Sequence, residues 1–62
     1  MIWTIHRDGC FVANCERHRF ELGEMGKGRW LLKHFEKGWA HSFWYEVTSA
    51  EDGKAKAEEL SK

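Results

Sequence analysis

Proline is absent from the 62 residues, cysteine occurs only twice, and neither sign of charge is in excess, with ten Lys and Arg against ten Asp and Glu. Each shortage removes a class of protein. Without proline, internal repeats or low-complexity runs the chain has no linker, so residues 1–62 are expected to form one domain. A domain of this size buries only about 60% of the surface that its unfolded chain exposes, which allows one modest core. Balanced charge argues against the strong basic field of a general nucleic-acid binder and the strong acidic field of a nucleic-acid mimic. No segment approaches the ~20 apolar residues of a membrane span. Met1 to Arg7 lacks the basic and apolar regions of a signal peptide. A cytoplasmic protein with no membrane partner is therefore expected.

The two cysteines, Cys10 and Cys15, are five apart and would point to opposite faces of a single strand. A tiny secreted domain would normally carry more than one possible bridge. Free thiols in a reducing cytoplasm are the expectation.

Against these shortages stand 42% hydrophobic and 15% aromatic residues, including four Trp, which is the composition of a folded protein. Period-two alternation runs to Thr48, broken by turn signals at Asp8-Gly9, around Asn14 to Arg17, through Gly23 to Gly28, and at Lys37-Gly38. That spacing predicts an antiparallel meander of four to five strands over residues 1–48. Asp8-Gly9 reads as a two-residue hairpin turn. It would place Ile5 opposite Val12, with Trp3 and Cys10 on the same face. A two-residue turn at Lys37-Gly38 would set Leu32 across from Phe43, Trp30 across from Tyr45 and Leu31 across from Trp44. Gly23 to Gly28 reads as a flexible hairpin loop after a third strand over Arg17 to Leu22.

After Val47 the period changes. Ser49 suits an N-cap, Glu51 and Asp52 suit the positive end of a helix dipole, and a helix from about Ala50 to Ser61 follows within residues 49–62. Its apolar stripe of Ala50, Gly53, Ala57 and Leu60 is small, so the helix can approach a sheet of large side chains closely. The predicted class is α+β, one C-terminal helix on one face of the sheet. The predicted core is Trp3, Ile5, Val12, Phe20, Leu22, Trp30, Leu32, Phe43, Tyr45 and Val47 beneath Ala50, Ala57 and Leu60.

One helix covers one face. The alternation leaves Ile2, Phe11, Leu31, Phe35 and Trp44 on the other, mixed with Arg17, Arg19, Arg29, Lys33 and Glu46. Wet sheet faces are normally polar, and an apolar group rimmed by charge marks a contact surface once it exceeds a few hundred Å². The same residues would belong to the core if one strand slipped its register by one.

Chemistry offers less. Cys10, Cys15 and His18 form C-x4-C-x2-H, which matches no usual zinc spacing, so no metal is expected. Gly23 to Gly28 lacks the Gly-Lys-Ser or Gly-Lys-Thr ending of a phosphate loop. Cys15 with His18 would form a nucleophile and base only in an exposed turn with no orienting carboxylate. Glu21, Glu24 and Glu46 alternate with basic residues as solvated cross-strand partners. We expect no catalytic residue, no cofactor and no enzyme.

The whole layout, an early Trp3-Thr4-Ile5 strand, aromatic hairpins, then Thr48-Ser49 leading into an Ala/Lys/Glu helix, resembles many short phage or mobile-element proteins. The resemblance implies a role in binding and blocking a host protein, anti-CRISPR inhibitors of a CRISPR-Cas component being one example. The expected function is a non-catalytic protein-binding module that uses Leu31, Phe35 and Trp44 as anchors with Arg19, Arg29 and Lys33 around them. Two alternatives stay open. Aromatic and basic residues together would also bind single-stranded nucleic acid, and open faces would also pair in a symmetric homodimer.

Overall fold

A computed structural model describes residues 1–62. Five antiparallel strands, β1 (Trp3–Ile5), β2 (Phe11–Asn14), β3 (His18–Gly26), β4 (Arg29–Glu36) and β5 (Phe43–Val47), lie side by side in chain order. Helix α1 (Ala50–Leu60) follows and packs over β3 and β4, more lightly over β5. The meander with one C-terminal helix is thus the α+β architecture that alternation and capping predict.

The core lies between helix and sheet. Phe20, Leu22, Leu32 and Ala57 are fully buried and Val47 nearly so, with Trp3, Phe11, Trp30, Tyr45, Ala50 and Leu60 packed around them. Each large side chain of this set contributes about 1.5–3 kcal/mol by leaving water. Gly53 is buried because the helix crosses directly above Leu22, where a Cβ would lie 2.9 Å from Leu22 Cδ2 and 3.2 Å from Cγ. The helix starts where expected: Ser49 Oγ accepts a hydrogen bond from Asp52 N–H at 3.0 Å, and the Asp52 carboxylate accepts one from Thr48 N–H at 3.2 Å.

The first hairpin corrects the expected register. His6 N–H donates to the Cys10 carbonyl at 2.8 Å and Gly9 N–H to the His6 carbonyl at 2.9 Å, which makes Arg7-Asp8-Gly9 a three-residue loop with Gly9 at φ 84°. Asp-Gly serves this loop as well as the two-residue turn, since the loop also needs a left-handed residue at its end. Ile5 therefore faces Phe11, and Thr4 faces Val12. This one-residue slip sends Phe11 to the helix face and Val12, still buried, to the opposite face.

The remaining turns also refine the reading. β3 does not end at Leu22 but runs on to Gly26, with a bulge between Glu24 and Gly26, so Gly23 to Gly28 is strand and tight turn instead of a loose loop. Lys27-Gly28 closes it with Gly28 at φ 74°. Between β4 and β5 the connection is Lys37 to Ser42, and Trp30 pairs with Val47, Leu32 with Tyr45 and Lys33 with Trp44. The shift of two residues from the expected pairing leaves every side chain on its predicted face. Two members of the expected core are exposed, Ile5 at 65% and Phe43 at 54%, because both sit on edge strands beyond the helix's cover. His34 takes a core place instead, 4% exposed.

Candidate functional site

The cross-strand register sets Thr4, Val12, Glu21, Lys33 and Trp44 in one row across the face away from the helix. On one side of that row Arg19 pairs with Phe35; on the other Gly23 pairs with Leu31 and Leu31 with Glu46. Arg29 shares the parity of Leu31, Lys33 and Phe35 along β4. All six residues singled out in the sequence, Arg19, Arg29, Leu31, Lys33, Phe35 and Trp44, thus share the open face. Phe11 is not among their neighbours, for the register reason given above, and Arg17 sits in the turn before β3.

Charge on this face is largely settled within the chain. Arg19 Nε donates to Glu21 Oε2 at 3.2 Å and Arg19 also reaches Asn14 Oδ1 at 3.3 Å. Arg29 grips both oxygens of Glu46 at 3.2 and 3.3 Å. Lys33 has no carboxylate partner; its ammonium lies 4.8 Å from the centre of the Trp44 ring. Trp44 is 62% exposed, and its indole N–H is held by Ser42 Oγ at 2.8 Å, which fixes the ring's orientation. On the far side of Lys33 from this ring, Gly23 leaves a dimple of about 180 Å³ walled by Leu31, Met25, Cys10 and Lys33 and rimmed by the carboxylates of Glu21 and Glu24. The face therefore presents a fixed aromatic ridge, a dimple across Lys33 from it, and one cation that makes no salt bridge although Glu21 stands opposite it in register.

The Cys10 thiol opens onto that dimple. Burial pushes its pKa up, and the carboxylates of Asp8 and Glu21 push it further. The thiol therefore stays protonated at neutral pH and is a poor nucleophile.

A second cluster occupies the opposite face at the far end of β3 and β4. His18 Nδ1 and His34 Nε2 lie 2.9 Å apart, and the His34 ring stacks on Phe20 at 4.6 Å between centroids. Trp39, from the β4–β5 connection, meets His34 edge-on at 4.9 Å and Phe43 at 5.0 Å. Burial lowers the His34 pKa, proximity to His18 lowers it further, and Glu36 opposes both. An open recess of about 390 Å³ lies against these groups, bounded also by Tyr45, Leu60 and Lys62. The sequence reading missed this cluster. Its signal was parity: His18 alternates with Phe20 and Leu22, and His34 with Leu32.

Cys10 and Cys15 lie beyond the two ends of β2, Cys15 against the core, while His18 is engaged with His34. No group of three or more His, Cys, Asp or Glu side chains is arranged to hold a metal ion. No helix is long and apolar enough to cross a membrane. Comparisons with protein-family models, with curated proteins and with solved structures found no match.

Proposed function

We propose that the protein is a non-catalytic protein-binding module that docks its partner on the open sheet face, in the manner of short phage proteins that block a host factor. The observation that carries this reading is the fixed, 62% exposed Trp44 on the same face as the Gly23 dimple, with Lys33 lining the dimple on one side and touching the Trp44 ring on the other. Large rigid aromatics next to a pocket are the usual energetic centres of protein interfaces. The unpaired ammonium of Lys33 gives the partner its chemistry: an apolar protrusion for the dimple with a carboxylate beside it.

Nucleic acid is the less favoured ligand because Arg19 and Arg29 are already bound to Glu21 and Glu46, which leaves little positive field for phosphates. The catalytic alternative, a Cys15 nucleophile with His18 as base, is weakened because His18 Nδ1 is engaged by His34 Nε2 and Cys15 packs against the core.

The test is affinity capture on immobilised protein, wild type beside Trp44→Ala and Lys33→Glu, followed by titration of the captured protein. Trp44→Ala should weaken binding at least tenfold with an unchanged far-ultraviolet spectrum, and Lys33→Glu should do the same while slowing association. Equal binding by all three would refute the face. Salt-sensitive capture of oligonucleotides instead would replace the reading by single-strand binding.

A further inference from the structure

The two edges of the sheet are guarded unequally. β1 offers only the three residues Trp3–Ile5. β5 offers five, Phe43-Trp44-Tyr45-Glu46-Val47, without proline, glycine or lysine. An unpaired strand of this length and composition is a template for another strand, and natural edges are usually blunted by just the residues missing here. Both faces of the edge are aromatic and open: Phe43 is 54% exposed on the helix side and Trp44 62% on the other.

From this edge we infer that two copies of the chain join β5 to β5 in an antiparallel pair, making one ten-stranded sheet about a two-fold axis. The register that overlaps all five residues centres on Tyr45. It sets Phe43 against Val47 of the second copy and Trp44 against the second copy's Glu46, each pair sharing a face as antiparallel partners must. Self-complementarity of this kind is what a two-fold interface requires.

Charge supports the same occupant. Lys33 is the cross-strand partner of Trp44, and its ammonium already leans over the Trp44 ring at 4.8 Å, toward the edge. One strand spacing of about 4.8 Å beyond Trp44 stands Glu46 of the second copy. Lys33, which makes no salt bridge within its own chain, thus shares the carboxylate that Arg29 holds in the second copy, and the contact occurs twice. The assembly also closes at two copies, since only the three-residue β1 edges remain outside. A five-residue strand pair with three aromatics from each copy is small beside the roughly 1,200 Å² at which stable interfaces begin, so the dimer depends on concentration.

This inference uses Lys33 and Trp44 of the proposed docking face but is tested on the purified protein alone, so its failure leaves the partner-binding reading standing. Sedimentation over a concentration series should show the mass rising from 7.3 kDa toward twice that value. Phe43→Lys, which puts a lysine on the helix side of the edge, should raise the dimer dissociation constant at least tenfold with the far-ultraviolet spectrum preserved. Lys33→Glu and Glu46→Lys should each be monomeric where the wild type is dimeric, because each sets like charges across the axis. An equimolar mixture of the two variants should restore the dimer, since every cross pair is then opposite in sign, and this recovery also shows both variants folded. A wild-type monomer at millimolar concentration overturns the inference. So does a dimer insensitive to Phe43→Lys, or charge-reversed variants that stay apart when mixed.

Discussion

Replacing Gly53 by alanine should destabilise the protein even though alanine is the better helix former. Propensity alone favours the substitution by about 1 kcal/mol in a helix interior. The opposing effect is contact with Leu22. The new Cβ would stand 2.9 Å from Leu22 Cδ2 and 3.2 Å from Leu22 Cγ, and closer still to Cδ1. Rotating the isobutyl group cannot relieve all three contacts, because Cγ does not move with the terminal torsion. The side chain is also fully buried, so it has no free space to enter. Overpacking of this kind costs about 1–3 kcal/mol. The balance is a loss of about 1 kcal/mol, or about 4–8 °C in melting temperature for a domain of this size. Thermal unfolding of wild type and Gly53→Ala by circular dichroism measures it. Leu22→Val, which removes a methylene at the point of conflict, should cost less in the Gly53→Ala background than alone. An unchanged or raised melting temperature for Gly53→Ala would refute the argument and place the helix farther from the sheet.

Other outcomes follow from the same packing. The folded state holds His34 below its ordinary pKa of 6.5, so below that pH the unfolded chain takes up a proton that the folded chain refuses. Denaturation midpoints should therefore be steady above pH 6.5 and fall as the pH is lowered toward 5; His34→Phe, which keeps the ring stack, should flatten that slope. Ser49→Ala removes the acceptor for Asp52 N–H and should cost about 1 kcal/mol, read in urea titrations with an unchanged m-value. Arg29→Ala breaks an ion pair whose side chains are 62% and 56% exposed, so its effect on stability should stay within about 0.5 kcal/mol and vanish at high salt.

What could be read from the chain was parity, and what could not was registration. Phe20, Leu22, Leu32, Tyr45 and Val47 lie on the helix face as their alternation requires, since side chains on a strand have only two directions available. Asp8-Gly9 did not reveal whether two or three residues form its turn, and that single residue decided where Phe11 and Val12 point. The six-residue connection from Lys37 to Ser42 was harmless to the faces because its error was even. All six candidate site residues lie on the face their alternation requires, since none is on β2, the strand whose facing differs. Ile5 and Phe43 were placed in the core because alternation does not show how far a helix reaches; α1 covers the middle of the sheet and leaves both edges wet. His34 was overlooked because a polar name outweighed an apolar position, although its stack on Phe20 gives it the burial of a core aromatic.

Strand order equal to chain order means that every strand pairs only with its neighbour in the sequence. Chains built from such local contacts close short loops and fold fast, each hairpin templating the next. The helix, however, follows all five strands. Phe20, Leu22 and Leu32 are therefore bare on any sheet that forms before α1 docks over them. The faster the meander forms relative to the docking of the helix, the longer this apolar surface stays open to aggregation and to chaperones.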